Sequence, residues 1–295
     1  MGPYRHILCP VDFSDPSRAA LRWAARFSKG IDARLTVLNA IDTRILSIGN
    51  LIAVPDLLDD FRKKALDAAS KLKAEMDLTG ATFEIVDGIP EDVILSSSGR
   101  GEVDLVVMGT HGFSAFQKFF LGSVTEKVLH RARVPVLSIS SMASAGQEPS
   151  TPKVVLMAID LGPESPAVVR HGTWLAEHFG AKLIALHAVR TPYVALSEGG
   201  FEPLTRGQID DLTRSLVTKH RQDLEALLPE PAREGREALV EVGSPYELLR
   251  DAIVERSVDL AILGAGGHGQ AGIQWLGSTC HKMVRLAPCP VMVVR

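Results

Sequence analysis

Two stretches of the chain combine residue types and spacings suited to holding an anion. In the first half, Gly109-Thr-His-Gly112 is followed, after nine intervening residues, by Gly122-Ser123. In the second half, Gly264-Ala-Gly-Gly267 is followed at the same interval by Gly277-Ser278. Glycine lacks a Cβ, so its backbone turns sharply and can approach a bound group closely. A helix start presents N–H groups with no intrahelical partner, at the positive end of the helix dipole. A glycine turn feeding a helix start is therefore suited to phosphate. Each stretch follows an apolar run (Asp104-Leu-Val-Val-Met108; Asp259-Leu-Ala-Ile-Leu263) and precedes a helical pattern, a proline and another β-branched run. Gly109 and Gly264 lie 155 residues apart, as do Gly122 and Gly277, so the motif is part of an internal repeat.

Strands and helices must hold these turns in place. His6 to Val11 reads as a first strand ending at Asp12, and Ser14 as the cap of a helix from about Pro16 to Ser28 that Gly30 stops. Arg34 to Ala40 is a buried second strand, Asp56 to Met76 a long amphipathic helix, and Thr82 to Val86 an alternating third strand. The stretch from Asp42 to Pro55 shows no period. Pro90 opens a third helix, Asp104 to Met108 is the fourth strand, Ser123 to about Ala132 the fourth helix, and Val134 to Ile139 the fifth strand. The series then restarts. Val154 to Ile159 ends at Asp160, a helix runs from about Pro163 to Phe179, and Lys182 to Val189 is a strand. A long helix over about Thr205 to Leu228 and a strand over Glu237 to Val242 follow. Ser244-Pro-Tyr-Glu247 has the form of a capping box, and Asp259 to Leu263, a helix from Ser278 and a strand over Val291 to Val294 complete the repeat.

Strands alternating with helices predict an α/β fold of two tandem doubly wound, Rossmann-like units. Each is a five-stranded, mainly parallel sheet with helices on both faces. The expected domains are residues 1–141 and 153–295, with the aperiodic Ser-, Ala- and Pro-containing segment 142–152 as linker. The linker and the repeat disfavour one ten-stranded sheet. The apolar terminal strands, Val134 to Ile139 and Pro290 to Val294, would leave edges that need covering, so the halves are expected to pack together.

At 295 residues the chain can bury two ordinary cores, and its 46% hydrophobic, 23% charged and 5% aromatic composition suits an α/β protein. A net charge of −3 supplies no bulk attraction to nucleic acid or to an anionic membrane. Cys9, Cys280 and Cys289 form neither a disulfide framework nor a CxxC pair, which fits a reducing cytoplasm. The N-terminus lacks the apolar core of a signal peptide, and no run approaches the ~18 apolar residues of a membrane span. A cytoplasmic protein is the expectation.

Competing motifs fit less well. No GxxxxGK[ST] sequence occurs. Gly264-Ala-Gly266-Gly-His-Gly269 matches GxGxxG, but no acidic residue follows Asp259, and the first repeat does not share the match. His111 and His268 lack a partnered carboxylate or nucleophile at readable spacing. His171 and His178 lie seven apart with no HExxH, so no metal site is expected.

What both halves share, Gly-x2-Gly-x9-Gly-Ser after a buried strand, resembles the nucleotide-binding branch of the universal stress protein family, and the chain resembles a tandem member. The resemblance covers nearly the whole chain. It includes the Asp that ends the first strand, Pro90 and Pro245 at the third helices, and the final Val-Pro-Val or Cys-Pro-Val strand. It implies ATP or a related adenine nucleotide as ligand, with Mg²⁺ arriving on the phosphates. By that likeness Pro10, Val11 and Asp12 contact the nucleoside and Ala40 packs on adenine. Met108, Gly109 and Gly112 pass beneath ribose and phosphates, and Gly122, Ser123, Val124 and Thr125 bind phosphate through N–H groups and hydroxyls. The second-half counterparts are Asp160, Ala188, Leu263, Gly264, Gly267, Gly277, Ser278 and Thr279.

The resemblance further implies pairing of the two terminal strands across a pseudo-twofold axis, and a homodimer. Each residue also has a purely structural use. Ser123-x-x-Glu126 could be a capping box, Asp12 could cap a turn, and the glycines could serve tight turns alone. The second half departs from the pattern. Cys280 stands for Thr125 and Ala158 for Pro10, His281 replaces Glu126, and the loop from His268 to Leu276 has no counterpart to Lys118. The expected function is a stress-response module that binds ATP. Slow ATP hydrolysis and an interaction scaffold with vestigial sites are the alternatives.

Overall fold

The computed structural model describes residues 2–44, 57–76, 78–111, 121–144, 151–190, 205–229, 235–266 and 276–295. The first half runs β1 (His6–Pro10), α1 (Asp15–Ile31), β2 (Arg34–Ile41), α2 (Leu57–Glu75), β3 (Thr82–Asp87), α3 (Pro90–Gly99), β4 (Leu105–Gly109), α4 (Ser123–Arg131) and β5 (Val136–Ile139). A short helix, α5 (Ser141–Ser144), follows. The second half repeats the order: β6 (Val154–Ala158), α6 (Ser165–Phe179), β7 (Lys182–Val189), α7 (Arg206–Leu227), β8 (Arg236–Val242), α8 (Pro245–Glu255), β9 (Leu260–Gly264), α9 (Ser278–Leu286) and β10 (Val291–Val294).

Each half is a five-stranded parallel sheet, β3-β2-β1-β4-β5 and β8-β7-β6-β9-β10. The two sheets do not remain separate. β10 pairs antiparallel with β5, Val293 opposite Val136, Met292 opposite Leu137 and Val291 opposite Ser138, giving one continuous ten-stranded sheet. The repeat and the linker pointed away from a continuous sheet, but they constrain only each unit's internal order. The two apolar edges satisfy each other's backbone groups and so fuse the units.

Alternate residues of each strand face opposite layers, as a two-residue period requires. Ile7, Cys9, Leu105 and Val107 face the layer that holds α1, α2, α6 and α7, while Leu8, Val106 and Met108 face the layer that holds α3, α4, α8 and α9. An aspartate fixes the register of each unit's central pair. Asp104 Oδ2 accepts from the Arg5 and His6 amides at 2.8 and 3.0 Å, and Asp259 Oδ2 from the Lys153 and Val154 amides at 2.8 and 2.9 Å.

Several local expectations change. Ser14 does cap α1, its side chain accepting from the Ser17 amide, but the helix continues through Gly30 and ends at Asp32 in the left-handed region. Gly30 instead serves packing: a Cβ there would lie 3.1 Å from the Phe179 ring, and its carbonyl accepts from His178 Nε2 at 2.8 Å. Ser244 occupies the N-cap of α8 without a side-chain bond, and Pro245 in the first turn presets the helical φ instead. Residues 142–144 of the expected linker belong to α5, where Ser140 Oγ accepts from the Ala143 amide at 3.0 Å and Ala143 is fully buried.

Candidate functional site

In each half the strand order turns back beside the central strand, and a crevice opens there at the carboxyl ends of the strands. In the first half the chain leaves β1 through Val11, whose amide donates to the Leu38 carbonyl and whose own carbonyl accepts from Asn39 Nδ2, each at 2.8 Å. Phe13 then takes a φ of 65°, a conformation that bulky residues rarely adopt. Asp12 holds this bend, its Oδ1 accepting from the Ser14 amide at 3.1 Å and from Ser14 Oγ at 2.5 Å. The second half builds the same bend at Leu161, φ 60°, with Asp160 Oδ1 accepting from the Gly162 amide at 2.9 Å and Ser165 Oγ at 3.0 Å. His187 fills the place of Asn39, its Nδ1 lying 2.7 Å from the Ile159 carbonyl. A carbonyl only accepts, so Nδ1 carries the proton and Nε2 is left to accept from His220 Nδ1, 2.9 Å away. Burial pushes the His187 imidazole below its ordinary range, partly offset by that carbonyl.

The glycine turn of the first half is tied down on both sides. The Thr110 amide donates to the Ile139 carbonyl at 3.1 Å, and the Gly122 amide to the Thr110 carbonyl at 2.8 Å, so α4 starts beside the end of β4. A Cβ on Gly109 would sit 2.9 Å from the Pro16 carbonyl oxygen, a backbone atom with no room to give. Gly122 is the N-cap of α4 and makes no side-chain cap bond. Ser123 is the first helical residue and not the cap, so Ser123-x-x-Glu126 is not a capping box here. The Thr125 hydroxyl donates to the Gly109 carbonyl at 2.9 Å; it braces the turn rather than offering its proton to a ligand.

A cavity of about 410 Å³ opens on this turn. Pro10, Val11 and Asp12, then Ala40, then Met108 and Gly109, and finally Gly122, Ser123, Val124 and Thr125 all line it. Gly112 and Lys118 lie outside the described residues. The walls also include Ser17, Asp42, Arg44 and Ile94, which sequence spacing did not single out, together with Pro90, read there as a helix opener, and His111, set aside there as a catalytic residue. Arg44 is held to Asp42 at 2.6 Å and to Glu91 at 3.3 Å, and Lys127 Nζ also reaches Glu91 Oε1 at 2.5 Å. Burial alone would raise the Glu91 carboxyl, but the Lys127 hydrogen bond and the Arg44 charge outweigh it and hold it below the ordinary range. His111 is 8% exposed; burial, helped by Arg285, keeps its imidazole below the usual value.

The second half presents a cavity of about 390 Å³ lined by Asp160, Ala188, Leu263, Gly264, Gly277, Ser278 and Thr279; Gly267 and His268 lie outside the described residues. The Gly277 amide donates to the Ala265 carbonyl at 2.8 Å, repeating the first half's closure. A Cβ on Gly277 would lie 2.2 Å from the Gly266 carbonyl oxygen, so glycine is obligatory there. Two features differ. Glu164 Oε2 accepts from the Gly266 amide at 2.6 Å, and burial, with the Glu164 charge adding to it, pushes the Cys280 thiol up to about 12. Among the described residues no group of three or more His, Cys, Asp or Glu side chains could hold a metal ion, and no helix is long and apolar enough to cross a membrane.

The whole length of the chain, and each half of it, is matched in known proteins. A universal stress protein from Mycolicibacterium smegmatis is 29% identical over 301 residues, covering 98% of this chain and 96% of the relative. A universal stress protein of Thermus aquaticus is 34% identical over 145 residues, covering 46% of this chain and 98% of its own length, so one half here matches a whole single-unit relative. The crystal structure of a universal stress protein from Archaeoglobus fulgidus shares the fold, with a TM-score of 0.70 and 23% identity over 100% of this chain and 98% of that one. The sequence model of the universal stress protein family matches twice, at residues 3–140 and 152–295, and the chain is a tandem member of that family.

Proposed function

We propose that the first-half cavity binds an adenine nucleotide, with ATP as the expected ligand and Mg²⁺ carried on its phosphates. The observation that carries this reading is convergence. Residues singled out from three strand ends and one helix start line one cavity, and that helix start has an N-cap with no side chain to cap it. The residues fit the group. Apolar Ala40, Ile94 and Met108 offer a slot for a flat base, while the amides of α4 supply the anion end. Asp12 stands on the nucleoside side as a hydrogen-bond acceptor. The protein then acts as a binding module whose occupancy by nucleotide is the signal.

Gly122→Asp is the direct test. An aspartate at an N-cap accepts from its own helix amides, which stabilises the helix, and it puts a carboxylate where phosphate would sit. Titration calorimetry should show ATP binding to the wild type and none to this site in Gly122→Asp, with the fold kept, since the new Cβ would lie 3.3 Å from the Thr110 carbonyl oxygen while the cap offsets that contact. Absence of ATP binding by the wild-type first half would end the reading.

A further inference from the structure

We infer that Glu164 closes the second-half cavity to nucleotide phosphates, so that one chain takes one nucleotide and not two. The inference rests on reading the first-half crevice as a nucleotide site. In the second half the turn after β9 is already engaged by the chain's own anion: the Gly266 amide donates to Glu164 Oε2 at 2.6 Å. That oxygen would also lie 2.7 Å from a Cβ on Gly264, so the carboxylate rests directly on the glycine turn. Gly264 is thus glycine against a side-chain carboxylate, whereas Gly109 is glycine against the backbone of Pro16.

The two contacts are equivalent places in the repeat. Pro16 lies four residues beyond Asp12, and Glu164 four beyond Asp160. A neutral ring in one half has become a carboxylate in the other. Glu164 is also the N-cap of α6, whose own helix receives no side-chain bond from it. Its reach is therefore across to the turn and not into α6. A phosphate brought within about 4 Å of this carboxylate would meet like-charge repulsion that the crevice screens far less than open water does. It would also have to break a charge-assisted hydrogen bond. The neighbouring replacement of Thr125 by Cys280 removes the hydroxyl brace that the first half uses at the same point, and the thiol stays protonated in its buried position. The cavity itself remains, with Ala188, Leu263 and Leu249 as an apolar wall and Arg190 also lining it, so the restriction falls on the glycine turn that Glu164 occupies and not on size.

The test uses the full chain and ATP as probe. Calorimetry or equilibrium dialysis should give one ATP per wild-type chain and two per Glu164→Ala chain. In a Gly122→Asp background the Glu164→Ala change should raise residual ATP affinity by about tenfold or more. Glu164→Gln keeps an acceptor for the Gly266 amide without the charge and should also gain binding, which covers the case in which Ala disturbs the turn. Two ATP per wild-type chain would overturn the inference while leaving the first-half reading intact, as would no gain in either Glu164 variant. If the wild type binds none and Glu164→Ala binds one, the inference holds and the first-half reading fails.

Discussion

His171 is buried in α6 with its Nδ1 2.6 Å from the Tyr4 hydroxyl, across the boundary between the halves. The hydroxyl also reaches Met292 Sδ at 3.3 Å, so the direction of this bond follows the ring tautomer, and what protonation costs is the charging of a buried imidazole. Burial, with Arg170 adding to it, pushes the imidazole down to about 4 from the ordinary 6.5. A base whose folded value lies below its unfolded one binds more protons when unfolded over the interval between them. Stability should therefore fall as pH drops from 6.5 towards 4, by on the order of 2 kcal/mol from this residue. Urea unfolding at pH 7 and pH 4.5 should show that loss in the wild type and a smaller one in His171→Gln, which keeps an acceptor but does not titrate. An identical loss in both would show that His171 is not the group responsible. His111, His187 and His281 are shifted in the same direction by burial and leave a residual slope in the variant.

At the scale of elements, Asp104 links two strands that are far apart in sequence by accepting both the Arg5 and His6 amides, and Asp259 repeats the device. Removing the acceptor leaves two amides at the head of β1 without it, so Asp104→Ala should cost about 1–3 kcal/mol and Asp104→Asn less, because its amide oxygen still accepts. Denaturant midpoints would measure this, and equal stability of all three proteins would refute it. ATP affinity should stay unchanged, because the contact lies at the opposite end of β1 from the cavity. The sequence marked Asp104 and Asp259 as leading their strands but not what they hold, because the partners lie about a hundred residues away. The same limit runs through the rest. Apolar period and the Ser14 cap located α1, since those signals are local, but the Phe179 ring that makes Gly30 a glycine is not local. The glycine turns, strand ends and helix starts of the candidate site were legible because a repeat printed them twice. Arg44 and Glu164 were not, because only folding brings them to the crevice or to the turn beside it.

The whole molecule depends on one seam. Ser138 Oγ donates to the Val291 carbonyl at 2.9 Å, Ser140 Oγ to the Ala287 carbonyl at 2.8 Å, and Arg295 Nη2 to the Leu129 carbonyl at 2.6 Å. On the opposite layer Tyr4 meets Trp174 edge to face and Phe27 meets Phe179 tilted across the same boundary. Arg295 also spans the seam, since its guanidinium caps the carbonyl end of α4 and feels the charge of Glu164. Two crevices joined by one continuous sheet cannot separate without breaking β5 from β10, so the pairing can be tested through its register. Val136 and Val293 stand opposite each other, 2% and 4% exposed, on the same face of the sheet. Val136→Asp alone and Val293→Lys alone each bury an unpaired charge and should destabilise the protein markedly. The double variant places opposite charges directly across the seam, where cross-strand partners gain roughly 0.2–1 kcal/mol even when exposed and more when desolvated. Its loss of stability should be smaller than the sum of the two single losses. A double-mutant cycle that closes to zero would mean that β5 and β10 are not neighbours in solution, and the joined sheet would have to be given up.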